Sequence, residues 1–210
     1  SLVTDIEHLD IYAQGTERGR AWERPVSVEF MPTDQREPNF QINAGIRIQG
    51  NIGRQAFMPK HSFRLFFRKA YGEGKLEYPL FPDSPVTTFE TLVLRAGANE
   101  SYAGYLNKKD ADTQRLRSVT YARDQWLRNS QIAMSDIGVP GRFAHLFING
   151  LYWGLYNIVE RPDADFQAEH LGGTKEDWYA TNHDSHISGD STRFDHLHSL
   201  AAKGGDVFQH

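Results

Sequence analysis

Asn149 and Gly150 sit between two apolar runs, Arg142 to Ile148 (RFAHLFI) and Leu151 to Glu160 (LYWGLYNIVE). Asn-Gly is the dipeptide that most readily takes positive φ at both central positions of a type I′ turn, so the pattern predicts a tight hairpin. Both strands are apolar on both faces in places, which puts the hairpin near the centre of a sheet. This commits the middle of the chain to antiparallel β-structure.

A second stretch, Gly45 to Lys69 (GIRIQGNIGRQAFMPKHSFRLFFRK), carries Arg47, Arg54, Lys60, Arg64, Arg68 and Lys69 and no acid. The nearest acids are Glu37 and Glu73, yet the formal net charge of the whole chain is −4. Basic charge is therefore gathered locally, which points to an anionic partner. Ile46 and Ile48 alternate with Arg47 and Gln49, and Phe63, Leu65 and Phe67 alternate with Arg64, Phe66 and Arg68, so two strands flank the turn Gly50-Asn51-Ile52-Gly53-Arg54. One reading is a glycine loop folded over a phosphate, with Arg54 and Lys60 supplying charge. The other is a solvated cationic hairpin.

The remaining pattern gives strands at Val26 to Phe30 and Thr88 to Arg95. A helix is predicted from about Leu116 to Met134, with Val119, Ala122, Trp126 and Ala133 on the face turned to the sheet. Pro162 opens a helix running to Leu171, Gly172-Gly173 closes it, and Trp178-Tyr179-Ala180 forms a short strand. A last helix is capped by Asp190 or Ser191, carries Phe194, Leu197 and Leu200, and ends at Gly204. Strands followed by helices indicate an α+β chain with an antiparallel sheet. With 210 residues the chain is one large domain or one and a half small ones. Cysteine is absent, which excludes disulfides and thiolate chemistry. No apolar run is long enough to span a membrane. Ser1 opens the chain without Met, and the ending at His210 has the look of a cut segment.

His183 and His186, with Asp184 and Asp190, lie in a polar loop without a matching ligand cluster, so no metal site is assigned. His196 and His198, two apart on a helix, diverge. There is no Gly-x-Ser-x-Gly elbow, no His-Glu-x-x-His and no Gly-Lys-Ser/Thr ending to the Gly50 loop.

Taken together, several segments resemble the CotH (spore-coat protein H) kinase-like family. They are Gly45 to Gly50 with Arg54; Pro59-Lys60-His61-Ser62-Phe63-Arg64-Leu65; Leu116-Arg117 and Arg123-Asp124; Phe147 to Glu160; and the lead-in Trp22-Glu23-Arg24-Pro25 with Val28-Glu29-Phe30. The resemblance implies an atypical protein-kinase-like small lobe, an antiparallel sheet plus one long helix, followed by the beginning of a helical large lobe. It divides the chain into an extension at 1–24, a small lobe at 25–160 and the start of a large lobe at 161–210. Gly50, Gly53, Arg54, Lys60, Arg95 and Glu160 become the nucleotide-binding candidates, with either Lys60 or Arg95 as the cation on the phosphates and Glu160 near the hinge. ATP and Mg²⁺ are the implied cofactors, and the implied acceptor is a protein of the cell exterior or spore surface of a bacterium.

A phosphotransferase also needs carboxylates for Mg²⁺ and for the acceptor. In this family they lie in aspartate motifs that have no match before His210, so catalytic residues stay unassigned and this segment alone is expected to be inactive. The competing expectation is a non-catalytic surface-attachment or carbohydrate-binding module, in which exposed Trp22, Tyr71, Trp153 and Trp178 would stack on sugars, although Trp153 is read in the first place as a core residue. Nucleic acid is the weakest candidate partner, since the chain is net acidic and lacks a recognisable stacking platform.

Overall fold

The computed structural model describes residues 1–13, 17–58, 60–97, 119–182 and 185–202. They form two compact units, Ser1–Glu160 and Arg161–His210.

In the first unit, period-two alternation places one side of each strand inside. Ile42, Ala44, Ile46 and Ile48 face inward from β3 (Phe40–Gln49), Phe63 and Leu65 from β4 (Ser62–Phe66), and Leu92 and Leu94 from β7 (Thr91–Arg95). They meet Val26 and Val28 of β2 (Arg24–Phe30), Leu146 and Ile148 of β8 (Gly141–Ile148) and Tyr156 and Ile158 of β9 (Leu151–Val159). A two-residue strand, β1 (Leu2–Val3), pairs antiparallel with β2 and parallel with β8 through Leu2↔Ile148. The result is a closed barrel in the order β1-β2-β3-β4-β7-β9-β8. A separate ribbon, β5 (Leu76–Glu77) with β6 (Thr88–Phe89), brings Leu80, Phe81 and Phe89 against the core.

The α+β class holds. The antiparallel sheet of a kinase-like small lobe does not describe what is seen, because the sheet closes on itself. Closure rests on Leu2, buried inside the barrel, while the segment read as an extension supplies β1. Two residues are too short a strand to announce themselves by alternation.

The predicted hairpin is present. Asn149 and Gly150 have φ of 50° and 80°, and Ile148 pairs with Leu151. The predicted long helix differs. A single turn, α1 (Asp10–Ala13), precedes the barrel strands β2 to β9, and the helix before β8 is α2 (Arg123–Ser135). Val119 and Ala122 precede α2, and residues 116–118 lie outside the described residues. Its orientation is also reversed: Trp126 is 66% exposed and Met134 82%, whereas Gln125 is the buried residue. The sheet surface beneath α2 is polar. Asn157 donates to the Gln125 amide oxygen at 2.7 Å, and Arg95 pairs with Asp124. A helix that satisfies buried polar groups in this way turns its apolar stripe outward.

The second unit holds α3 (Ala164–Leu171), the ribbon β10 (Ala180–Asn182) with β11 (Ser185–Ser188), and α4 (Thr192–Ala202). Asp163 caps α3 by accepting from the Phe166 amide at 3.4 Å, and Asp190 accepts from the Thr192 amide at 3.0 Å ahead of α4. The short strand predicted at Trp178 begins at Ala180 instead, because Lys175–Asp177 is a 3-10 turn held by Thr174 and Asp177. His186 lies on β11 rather than in a loop, its ring stacked 5.5 Å from Tyr179. His183, Asp184 and Gly204 lie outside the described residues.

Candidate functional site

The basic stretch is distributed by the β3–β4 hairpin into three environments. On the outer face, Arg47, Arg64 and Arg68 surround the buried Phe66 ring, their guanidinium carbons 4.0, 4.9 and 4.9 Å from its centroid. Glu23 enters this group from the lead-in to β2. Its side chain is 1% exposed, 3.0 Å from Arg68 and 3.4 Å from Arg47. The acid-free appearance of Gly45 to Lys69 is therefore a property of the sequence and not of the folded surface. Gly45 makes room for this arrangement, since a Cβ there would lie 2.6 Å from Tyr71 and 2.7 Å from Glu23.

Arg54 is folded back over the glycine loop. Its guanidinium donates to the Gly50 carbonyl and to the Glu17 carbonyl, both at 2.7 Å. Burial, with Arg18 and Arg47 nearby, lowers its pKa. Gly50 has φ of 119°, and His61 lies 2.6 Å from the Gly53 carbonyl oxygen, so the loop is braced from both ends.

Lys60 goes elsewhere. Pairing between β7 and β9 runs through Val93↔Val159 and Leu94↔Ile158 and ends at Arg95↔Asn157. Beyond that point the Tyr121 hydroxyl stands between the strands, 3.0 Å from the Ala96 carbonyl and bonded to the Leu155 carbonyl. The Lys60 ammonium joins it, donating to the Leu155 carbonyl and to the Tyr121 hydroxyl at 3.1 Å, and lying 4.2 Å from the centre of the Tyr156 ring. Tyr121 itself has φ of 61°, and Gly97 lies against its ring. Gly154, at φ 118°, leaves the space that Lys60 fills; a Cβ there would meet its Cε at 3.3 Å and its Nζ at 3.4 Å.

No carboxylate among the described residues forms an ion pair with Lys60. Burial with only neutral acceptors disfavours its charged form, and its pKa falls to about 8. Burial also raises the Tyr121 phenol to about 12 and the Tyr156 phenol further. Both rings stay neutral beside the amine.

Arg95, the other candidate cation, is committed. It pairs with Asp124 of α2, which also accepts from Arg128 at 2.8 Å. Burial pushes the Asp124 carboxyl up, but the hydrogen bond from Arg128 and the charges of Arg95 and Arg128 outweigh it and hold its pKa low. Glu160 is buried at the end of β9. Tyr121 links Lys60 to Ala96, next to Arg95, while Arg54, Gly50 and Gly53 form their own local cluster. Among the described residues no cluster of three or more His, Cys, Asp or Glu is arranged to hold a metal ion.

The model of the CotH family, described as CotH kinase protein, matches residues 127–205. The chain is CotH-like. The matched segment runs from Leu127 of α2 through the β8–β9 hairpin and across most of the second unit. It therefore contains Leu155 and Glu160 but not Lys60, Arg95 or Asp124. No curated protein matches the chain. No helix among the described residues of this CotH-like chain is long and apolar enough to cross a membrane.

The expected exposure of Trp22, Tyr71 and Trp178 is met only in part, whereas Trp153 packs against the core as expected. Trp22, Tyr71, Trp153 and Trp178 are all partly buried. Trp153 packs at 5.4 Å against Tyr12 and donates to its hydroxyl, and Trp178 donates to the Gly172 carbonyl. Three residues of the site carried no sequence signal of their own. Tyr121 sits in no motif, whereas Glu23 and Asp124 stand inside quoted segments but gain their roles from partners that include Arg68, 45 residues away, and Arg95, 29 residues away.

Proposed function

We propose that this CotH-like chain is part of an ATP-dependent phosphotransferase, with Lys60 as the cation that meets the nucleotide phosphates. The observation that carries this reading is the half-buried Lys60 ammonium, held by a carbonyl, a hydroxyl and an aromatic face instead of by a carboxylate. A cation in that setting is destabilised by its surroundings, and an arriving phosphate supplies the missing counter-charge. The family match supports the same class of chemistry.

Arg95 and Asp124 take a different part. A strand cation paired with a helix carboxylate resembles in kind the lysine–glutamate pair that sets the helix in protein kinases. Here that pair orients α2, and Lys60 contacts the ligand. Gly50, Gly53 and Arg54 support the β3–β4 turn, and Glu160 ends β9 at the boundary of the first unit. Mg²⁺ would arrive with the nucleotide, since Mg²⁺ commonly binds through substrate phosphates and few carboxylates. The acceptor in this reading is a protein at the spore or cell surface.

The test is calorimetric titration of Mg·ATP into the 210-residue chain, its Lys60→Ala variant and its Arg54→Ala variant. The reading expects binding that is lost in Lys60→Ala and retained in Arg54→Ala. Equal binding by wild type and Lys60→Ala overturns it.

A further inference from the structure

Tyr121 is held in place against steric resistance. Its φ of 61° lies in the left-handed region, which a bulky side chain rarely enters. Gly97 accommodates it, since a Cβ at that position would lie 2.5 Å from the Tyr121 ring. Both features bring one atom, the phenolic oxygen, to the point where the β7–β9 ladder stops at Arg95↔Asn157. One further step in register would pair Ala96 with Tyr156, and the next Gly97 with Leu155. Instead the carbonyls of Ala96 and Leu155 both reach the Tyr121 hydroxyl.

A count of protons decides how these groups are joined. The phenol carries one proton and has two carbonyls within reach, whereas the Lys60 ammonium carries three. Every acceptor is satisfied in one arrangement: Lys60 donates to the Leu155 carbonyl and to the Tyr121 oxygen, and Tyr121 donates to the Ala96 carbonyl at 3.0 Å. Without Lys60 the single phenolic proton leaves one of the two carbonyls bare. Tyr156 presents its ring to the amine, its own hydroxyl being bonded to the His61 carbonyl at 2.9 Å.

We propose that Tyr121 is the positioning residue of Lys60: by accepting one of the three ammonium protons it fixes the amine in the strand gap and leaves one N–H for a phosphate oxygen. The proposal rests on the reading of Lys60 as the phosphate cation. It adds the kind of contact that site makes, a single donor to one oxygen rather than a two-pronged clamp. Removing the Tyr121 hydroxyl strips a hydrogen bond from the charged form of the amine and leaves the Ala96 carbonyl bare, so the amine becomes less basic and less fixed.

The test follows the titration of Lys60 by NMR of ¹³Cε-labelled lysine in the free 210-residue chain, in Tyr121→Phe and in Phe143→Leu. The Phe143 ring lies 6.0 Å from that of Tyr121, centre to centre, and carries no hydrogen-bonding group. The proposal expects Tyr121→Phe to lower the midpoint by about one unit from its value near 8, and Phe143→Leu to leave it in place. The ¹³Cζ shift of Tyr121 in the unmodified chain reads the same link without a variant, and it is expected to step at the Lys60 midpoint. Mg·ATP affinity, by calorimetry, is then expected to fall in Tyr121→Phe by up to about tenfold near pH 8.5, and by less near pH 6, where the amine is protonated in both chains. A general loss of folding would lower it at both. A Lys60 midpoint unchanged in Tyr121→Phe, or a Tyr121 resonance that does not step with Lys60, overturns the proposal. A displaced midpoint together with equal Mg·ATP binding by wild type and Lys60→Ala overturns the phosphate reading of Lys60 instead, and with it the ligand half of this proposal.

Discussion

The ammonium of Lys60 and the hydroxyl of Tyr121 lie 3.1 Å apart and share one acceptor, the Leu155 carbonyl, where strands β7 and β9 stop pairing. Two side chains from distant loops thus continue a sheet ladder past its last backbone bond. One of them is a cation with no carboxylate partner among the described residues, and that makes the position chemically distinctive.

The first prediction concerns pH. Below about pH 8 Lys60 is protonated in both folded and unfolded chains, and the cost of burying its charge is fully present. Between about 8 and the ordinary lysine value of 10.5 the folded chain sheds the proton first, so the unfolded chain binds more protons and stability rises with pH. The stability of Lys60→Met minus that of wild type, from urea melts, is therefore largest below pH 8 and shrinks steadily toward pH 10. A difference independent of pH over that range contradicts the environment described for Lys60.

Gly154 is required twice, for its positive φ and for the space that Lys60 occupies. Gly154→Ala is expected to lower stability by about 1–2 kcal/mol in chemical denaturation. Lys60→Ala in the same background recovers the packing part of that loss and not the backbone part, which a double-mutant cycle separates.

Glu23 is a buried carboxylate facing two arginines. Glu23→Ala leaves Arg47 and Arg68 without it, and both retain some solvent, so a loss of about 2 kcal/mol is expected in thermal or urea unfolding. Gly45→Ala, which drives a methyl group into Glu23 and Tyr71, is expected to cost about 1–3 kcal/mol.

α2 gives the opposite prediction. Trp126→Ser and Met134→Ser remove apolar side chains that already face solvent, so each is expected to change stability by less than about 0.5 kcal/mol. Gln125→Leu, by contrast, strands the Asn157 amide beneath the helix and is expected to cost about 1–3 kcal/mol.

That contrast shows what the sequence made legible. Asn149-Gly150 specified a hairpin because its conformational demand is local, and β3 and β4 were visible because one face of each is uniformly apolar. The face of α2 was not, since the choice depended on Arg95 and Asn157 in the sheet below. Barrel closure was hidden in Leu2 and Val3, too few residues to carry a period. At the site, charge density singled out Lys60 and Arg54 together, and only the fold separates a lysine turned into a strand gap from an arginine spent on its own loop. Glu23 was invisible as a partner for Arg68, 45 residues away.

The most direct test of the central claim is the titration of Lys60 itself, followed by NMR of ¹³Cε-labelled lysine in the free chain and with saturating Mg·ADP. The account predicts a midpoint near pH 8 in the free chain, moved upward by at least one unit when the nucleotide is bound. A free-chain midpoint at the ordinary lysine value, or a midpoint that stays in place with nucleotide bound, would contradict it.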